Sequence, residues 1–510
     1  MTAGIAVIGA GHHGLVAAIR LSARGREVVV LETAEAPGGA VRSDQLTLPG
    51  FVHDTCSGFF PLTAASAVFR LLDLELDWVD PPVPMVHVVS ADGDEIALHR
   101  DVAATVASLD ACAPGCGAAW GELMRTLWPV RDALIRAGLA RLPALRPGAA
   151  LLARLRARAL ELAPLALASS ASLGRSLFGD DRAAAWLAGS GAHADLSPYA
   201  AGSGAFSLGL NFLGHVVGWP SPRGGAGRLT DALVARVREH GGAVRCGATV
   251  TAIEVRRGRA TAVRLAGGER IPVDAVICTV SPGPLSDMLP AGTLPGGVER
   301  RLRGWRYSLG TVKLDCALAG PVPWTAPHAR QAAVVHVGGQ LGEIAASLEQ
   351  ASAGRFPDQP ALVVGQQSLH DRSRVPAGEG QTLYVYARVP QQPGLTDDEM
   401  AARIEARIER FAPGFRALVL ARAVRSPAKI EAENRSLRGG DLASGSCELD
   451  QQLLFRPAPA LCRGRTPVRG LYVAGAWVHP GPGVHGVSGW AAAGALLADR
   501  VAQGPPAGRT

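Results

Sequence analysis

A chain of 510 residues, 48% hydrophobic and 19% charged, is too apolar to stay disordered and long enough for two or more domains. Its net charge of +7 is spread along the sequence without a recognised nucleic-acid motif, which argues against a nucleic-acid partner, and no apolar run has the length of a bilayer span. The eight cysteines are scattered without metal-ligand spacing, so no metal is expected and the thiols read as buried and reduced.

The N-terminal stretch "AGIAVIGAGHHGLVAAIRLSARGREVVVLE" reads as strand, tight turn, helix and second strand. Ile5 to Ile8 suit a strand buried on both faces, and Leu15 to Arg24 have helical spacing. Gly9, Gly11 and Gly14 fit Gly-x-Gly-x-x-Gly between them. In that motif the first glycine makes the turn, the second admits a diphosphate to the backbone, and the third lets helix and strand pack closely. The helix N-terminus supplies free N–H groups and a positive dipole end, and Glu32 closes the second strand where an acid accepts hydrogen bonds from a ribose. The context predicts dinucleotide binding without separating NAD from FAD. Because the first strand belongs to the fold and no basic leader precedes it, a cytoplasmic protein is expected.

Further along, "TAEAPGGAVRS" places Gly38 and Gly39 in a turn before Arg42. Residues 61–218 are rich in Ala, Leu and Arg and mostly helical by pattern. Within them, 131–158 carries seven arginines against one acid, Asp132, with apolar residues between. Such a basic amphipathic segment lies on a membrane surface or forms a solvated helix face, and Pro143 and Pro147 interrupt its pattern. Next come a Gly-rich turn and helix at "WPSPRGGAGRLTDALVARVREHGG", the alternating strand "AVRCGATVTAIEV" with a hairpin partner "RATAVRLAGG", and the buried strand "DAVICTVSP". Residues 301–464 mix strand-like runs, "GTVKLDCALAG" and "QTLYVYARVP", with a helix at "TDDEMAARIEARIERF". The tail "RGLYVAGAWVHPGPGVHGVSGWAAAGALLADRVA" is a buried strand, a Gly/Pro-rich loop and a small-residue helix.

Together, "VIGAGHHGLVAA", "LETAEAPGGAVRS", "GWPSPRGGAGRLTDAL", "GATVTAIEV" and "GLYVAGAWVHPGPGVHGVSG" resemble the FAD-dependent phytoene desaturase-like branch of the amine oxidase superfamily. Within it the chain looks most like the group of β-carotene ketolases and pyridine nucleotide-disulfide oxidoreductase domain 2 proteins. The resemblance covers nearly the whole chain. It implies an α/β fold: a Rossmann-like FAD-binding domain built from 1–60, 219–300 and 465–510, plus a mixed α+β substrate domain of 61–218 and 301–464.

Carried over residue by residue, the resemblance assigns Gly9, Gly11 and Gly14 to the FAD diphosphate and Glu32 to the adenosine ribose. It lays Gly38, Gly39 and Arg42 along the cofactor and sets the backbone of Val250 at the adenine. It puts Gly475 near the ribityl chain and Gly481, Gly483, Val484 and Gly486 at the flavin. His13 stands where relatives usually carry Asn, a change expected to matter little because the position faces the turn. Trp477 and His485 replace smaller residues or proline, which leaves the substrate open. The flavin-facing tail loop argues for FAD over NAD, held without a covalent bond. No second strand-linked glycine motif is present for NAD(P)H, since "RGGAGR" follows a proline-rich turn. Dioxygen or a quinone is then the other electron partner.

Only two lysines, Lys313 and Lys429, occur among 51 basic residues, so a lysine in an apolar strand suggests a role that only an ammonium fills. Lys313 also matches the lysine that in amine oxidases holds a water near the flavin. His193 is a second catalytic candidate and His215 flanks the same insertion; His479 is expected to brace the tail loop, and Asp54 and Ser57 to shape the loop beneath the flavin. The leading expectation is oxidation or desaturation of an apolar, isoprenoid-like substrate by hydride transfer to FAD; peripheral membrane contact through 131–158 stays one of the two readings of that segment. An amine or amino-acid oxidase and a flavin-bearing partner-binding protein with little turnover remain alternatives.

Overall fold

The computed structural model describes residues 4–156, 158–376 and 380–502; Ala157 of the basic segment and the last eight residues of the tail stretch lie outside them. A five-stranded parallel sheet runs in the order Leu471–Val473, Ala275–Cys278, Ile5–Ile8, Val28–Leu31, Ala243–Arg245. Head, centre and tail of the sequence therefore meet in one sheet. Ile5 and Val7 point to a core shared with the helices His12–Ser22, Gly227–Glu239 and Val487–Ala502. Ala6 and Ile8 point the other way, to a core shared with a three-stranded antiparallel sheet that holds Ile253 and Val263. This two-sided burial is why the strand is a continuous apolar run instead of an alternating one.

A seven-stranded mixed sheet carries the second half of the architecture. Its order is Val419–Arg425, Gly310–Leu318, Gln381–Val389, Leu362–Gly365, Ala332–Val337, Val83–Val88, Glu95–Leu98. Alternation sorts its residues: Val312, Leu314, Leu383 and Val385 enter a core with Met400, Ile404 and Ile408 of the helix Asp397–Phe411. Thr396 starts that helix as a capping box with Glu399. Residues 61–218 are mostly helical, as expected, but they also supply strands. Val83–Val88 pairs in parallel with Ala332–Val337, so the two insertions share one sheet. A strand whose partner lies about 250 positions away leaves no local signal.

Two smaller expectations are also corrected. "AVRCGATVTAIEV" is not one strand: Ala243–Arg245 edges the parallel sheet and Val250–Arg256 belongs to the antiparallel one, the chain turning between them at Gly247, φ +62°. Pro147 does not interrupt a helix but occupies the first turn of Leu145–Leu155, where the missing N–H has no intrahelical acceptor to lose. Among the described residues no helix is long and apolar enough to cross a membrane, and all eight cysteines are free thiols.

Candidate active site

Both sheets open onto one cavity of about 1750 Å3, beyond the roughly 300–1,000 Å3 of an ordinary small-molecule pocket, so it has room for a large cofactor and a second molecule. One end is the glycine-rich turn. Gly9 has φ +98°, and a Cβ on Gly14 would stand 2.0 Å from the Gly9 carbonyl oxygen, so close packing excludes any side chain there. A Cβ on Gly11 would meet nothing within 4 Å: its open side is cavity. Glu32 accepts from the Ala10 N–H at 2.7 Å and the Ala34 N–H at 3.0 Å, which ties its carboxylate to the turn while lone pairs remain for a ligand. The Gly38 N–H donates to the Ala10 carbonyl at 2.9 Å, which brings Gly39 and Arg42 to the same wall. Val250 lies beside them, since the neighbouring Ala248 N–H donates to the Glu32 carbonyl.

The tail loop closes this end. Gly475 is held by Ser488 of the last helix, whose hydroxyl accepts from the Gly475 N–H at 3.0 Å. Gly481 and Gly483 take φ of +117° and +116°, and a Cβ on Gly483 would come 2.3 Å from Leu62. Gly486, φ +71°, completes the turn into the helix, and the Val484 carbonyl accepts from Thr63. His485 is a part of this frame, not a substrate-shaping substitution alone. Its Nδ1 accepts from the Val487 N–H at 3.1 Å, so Nε2 carries the proton and donates to the Gly481 carbonyl at 3.0 Å. His479 donates to the Ala140 carbonyl at 3.0 Å and braces the loop against the helical insertion.

Two helix N-termini, those of His12–Ser22 and Val487–Ala502, therefore converge, and the imidazoles of His12, His13 and His485 pack at tilted angles there with ring centres 4.0 and 5.0 Å apart. Burial pushes His12 down to about 3 and His485 to about 4, so all three are neutral at pH 7. His13 lines the cavity as well as facing the turn. His12 Nε2 and both His13 ring nitrogens have no hydrogen-bond partner among the described residues. Open backbone at Gly11, two positive helix ends and unpartnered ring nitrogens fit a diphosphate-bearing dinucleotide.

The other Gly-rich turn is built differently. The Gly224 N–H donates to Asp371 at 2.7 Å, Ala226 to Asp54 at 2.7 Å and Gly227 to Ser43 at 2.9 Å. Protein oxygens fill the donors that a phosphate would need. Asp54 also takes Arg374 at 2.7 Å and Ser43, both away from the cavity, so it is a structural hub; Ser57 does line the cavity.

The far wall is the polar face of the mixed sheet. Lys313, 1% exposed, sits there, and not on a strand edge facing solvent. It donates to Asp315 on the same strand face and lies 4.1 Å from the centre of the Tyr384 ring. Burial lowers its pKa to about 8 against the pull of Asp315. His193 reaches the cavity from the insertion, with Tyr386 and His336 each 2.9 Å from one of its ring nitrogens. His215 is apart from it: it accepts from the Trp120 indole at 3.0 Å and does not line the cavity. Tyr384, Tyr386, Arg388, His336 and Trp219 were missed from sequence, although the alternation in "QTLYVYARVP" sets the two tyrosines and Arg388 on one face. Opposite this wall, Leu134, Leu151, Leu155, Leu162 and Leu165 of the insertion line an apolar extension.

The family described as flavin containing amine oxidoreductase matches residues 14–497. A pyridine nucleotide-disulfide oxidoreductase domain-containing protein 2 from Rattus norvegicus is 28% identical over 97% of this chain and 93% of its own length. A hydroxyneurosporene desaturase from Cereibacter sphaeroides is 29% identical over 97% of both chains. A solved oxidoreductase from Methanosarcina mazei has the same fold, with a TM-score of 0.65 at 15% identity, covering 97% of this chain and 100% of that one.

Proposed function

We propose, from the premise that the chain belongs to the flavin containing amine oxidoreductase family, that it oxidises or desaturates an apolar, isoprenoid-like substrate with FAD. The observation that carries the reading is the continuity of the cavity from the glycine-rich turn to a leucine-lined extension. FAD, when bound, supplies the hydride acceptor. The chain's part is to hold it: Gly9, Gly11 and Gly14 at the diphosphate, Glu32 at the ribose, and Val250 at the adenine. Gly38, Gly39, Arg42 and Gly475 would follow towards the flavin, and Gly481, Gly483, Val484 and Gly486 would end beside it. The apolar extension orients the substrate and excludes water, and Lys313 holds a proton at Nζ next to the reacting region. Relatives named as desaturases support the substrate class, and dioxygen or a quinone is our proposal for the final acceptor.

The helix Leu145–Leu155 buries none of its described residues, and Leu145, Leu152 and Leu167 are 73, 60 and 63% exposed near the leucine-lined end. With the arginines of 131–158, they support contact with an anionic membrane surface from which such a substrate enters.

The test is anaerobic mixing of the FAD-loaded protein with isoprenoid hydrocarbons in micelles, followed by the oxidised flavin absorbance. Bleaching is expected. Bleaching by simple amines alone would replace this reading with an amine oxidase, the alternative that Lys313 beside Tyr384 favours. Bleaching by neither would leave a flavin-bearing protein with little turnover.

A further inference from the structure

The geometry points to a head-group site at the sheet end of the cavity: Tyr386 donates a hydrogen bond to a neutral oxygen, hydroxyl or carbonyl, at the end of an otherwise apolar substrate. The inference deepens the oxidoreductase reading and rests on it.

One row of directly opposed residues crosses the mixed sheet: Arg425, Lys313, Tyr386, Val363, His336, His87. Opposed residues project from the same sheet face, so a titratable row underlies the cavity. His193 bridges it from above Val363, with Nδ1 2.9 Å from the Tyr386 hydroxyl and Nε2 2.9 Å from His336 Nε2. Arg388 braces His193 through its carbonyl at 3.5 Å, and Trp219 meets its ring edge-on at 5.7 Å. Gly189 lets the helix Asp181–Gly191 settle on this row, because a Cβ there would stand 2.7 Å from His87 Nδ1.

Proton positions follow from the partners. His87 Nε2 faces the Gly339 carbonyl at 2.8 Å and is therefore a donor. His336 Nδ1 has no partner among the described residues. A buried N–H without an acceptor costs more than a buried lone pair without a donor, so we assign the His336 proton to Nε2, which donates to His193 Nε2. His193 then carries its proton on Nδ1 and donates it to the Tyr386 oxygen. The Tyr386 O–H is left without a protein acceptor among the described residues, on a ring that lines the cavity.

Charge balance decides which oxygen fits. Lys313 is paired with Asp315, Arg388 with Asp195, and Arg425 with Asp315 and Glu433. A carboxylate or an ammonium placed against this compensated wall would be a buried charge without a counterion. A neutral oxygen acceptor needs no counterion, and the hydrogen bond from the tyrosine offsets its desolvation. The leucine-lined extension takes the tail.

The test titrates the FAD-loaded protein with oleyl alcohol, cis-9-octadecene and oleate in one detergent and reads perturbation of the bound flavin's visible spectrum. The alcohol is expected to bind about tenfold more tightly than the hydrocarbon, the size of one buried hydrogen bond, and more tightly than oleate. Tyr386→Phe should bring the alcohol down to the hydrocarbon without moving the hydrocarbon. His193→Asn, which removes the positioning bridge, should lower the same ratio in part. An alcohol preference absent from the natural protein, or undiminished in Tyr386→Phe while the flavin spectrum is intact, overturns the site. Failure of the oxidoreductase reading looks different: flavin that no substrate reduces while the alcohol preference persists.

Discussion

The ammonium of Lys313 lies over the face of Tyr384, 4.1 Å from the ring centre, at the middle of the sheet wall that faces the cavity. Burial holds this lysine down at about 8, so its charge is present below that pH and lost as pH rises through it. A step that uses the ammonium should therefore slow from pH 7 to pH 9. Lys313→Met should reduce the rate of flavin reduction or reoxidation by about 100-fold, flatten that pH profile, and leave the bound FAD spectrum unchanged. Stopped-flow absorbance on both proteins checks it; unaltered rates would reject the role.

Two glycines of one motif should respond in opposite ways. Gly14→Ala forces a Cβ to 2.0 Å from the Gly9 carbonyl and should destabilise the apoprotein by about 1–3 kcal/mol. Gly11→Ala meets open space, so the melting temperature of the apoprotein should hold while FAD affinity falls. Differential scanning fluorimetry with and without FAD separates the two.

Mild acid should unfold the protein. Burial lowers His485, His87 and His215 to about 4 and His12 and His193 to about 3, against 6.5 for a free imidazole. Between those values the unfolded chain binds protons that the folded chain refuses, so stability rises with pH across this window and falls as pH drops below 6.5. At pH 5 each such histidine removes about 2 kcal/mol. Melting temperatures from pH 8 to pH 5 should decline steeply from near pH 6.5, above the carboxylate range.

Asp54→Ala should be among the more damaging substitutions away from the cavity. It leaves the buried Arg374 with Asp371 and the Pro222 carbonyl and strips the Ala226 N–H of its acceptor, a loss of about 3 kcal/mol. Denaturant titration of the apoprotein reads it directly, and a loss below the error of the measurement would show that Asp371 suffices.

Membrane contact predicts a graded electrostatic effect. Arg146→Gln with Arg154→Gln should weaken binding to phosphatidylserine vesicles, read by co-sedimentation, by about 1 kcal/mol per arginine, and raised salt should weaken it likewise. Binding that ignores both charge and salt would remove 131–158 from the interface.

The cofactor end was legible because its signal is local. The Gly9, Gly11 and Gly14 spacing and the flanking apolar strand are constraints of one strand–turn–helix unit, and Gly9, Gly11 and Glu32 do line the cavity. Lys313 was legible as an anomaly of composition. The parallel pairing of Val83–Val88 was not, and neither was the division of "AVRCGATVTAIEV" between two sheets, since both depend on partners far along the chain.

By itself the sequence determined the strand, turn and helix around Gly9, Gly11 and Gly14 and raised the expectation of a dinucleotide there, since backbone geometry at glycine and short-range periodicity are properties of neighbouring residues. Only the tertiary structure decided that His193 bridges Tyr386 and His336 and that Lys313 shares the sheet row of those two. Those contacts join positions 143 and 193 residues apart, and sheet register, which no local pattern encodes, sets which side chains stand opposite each other.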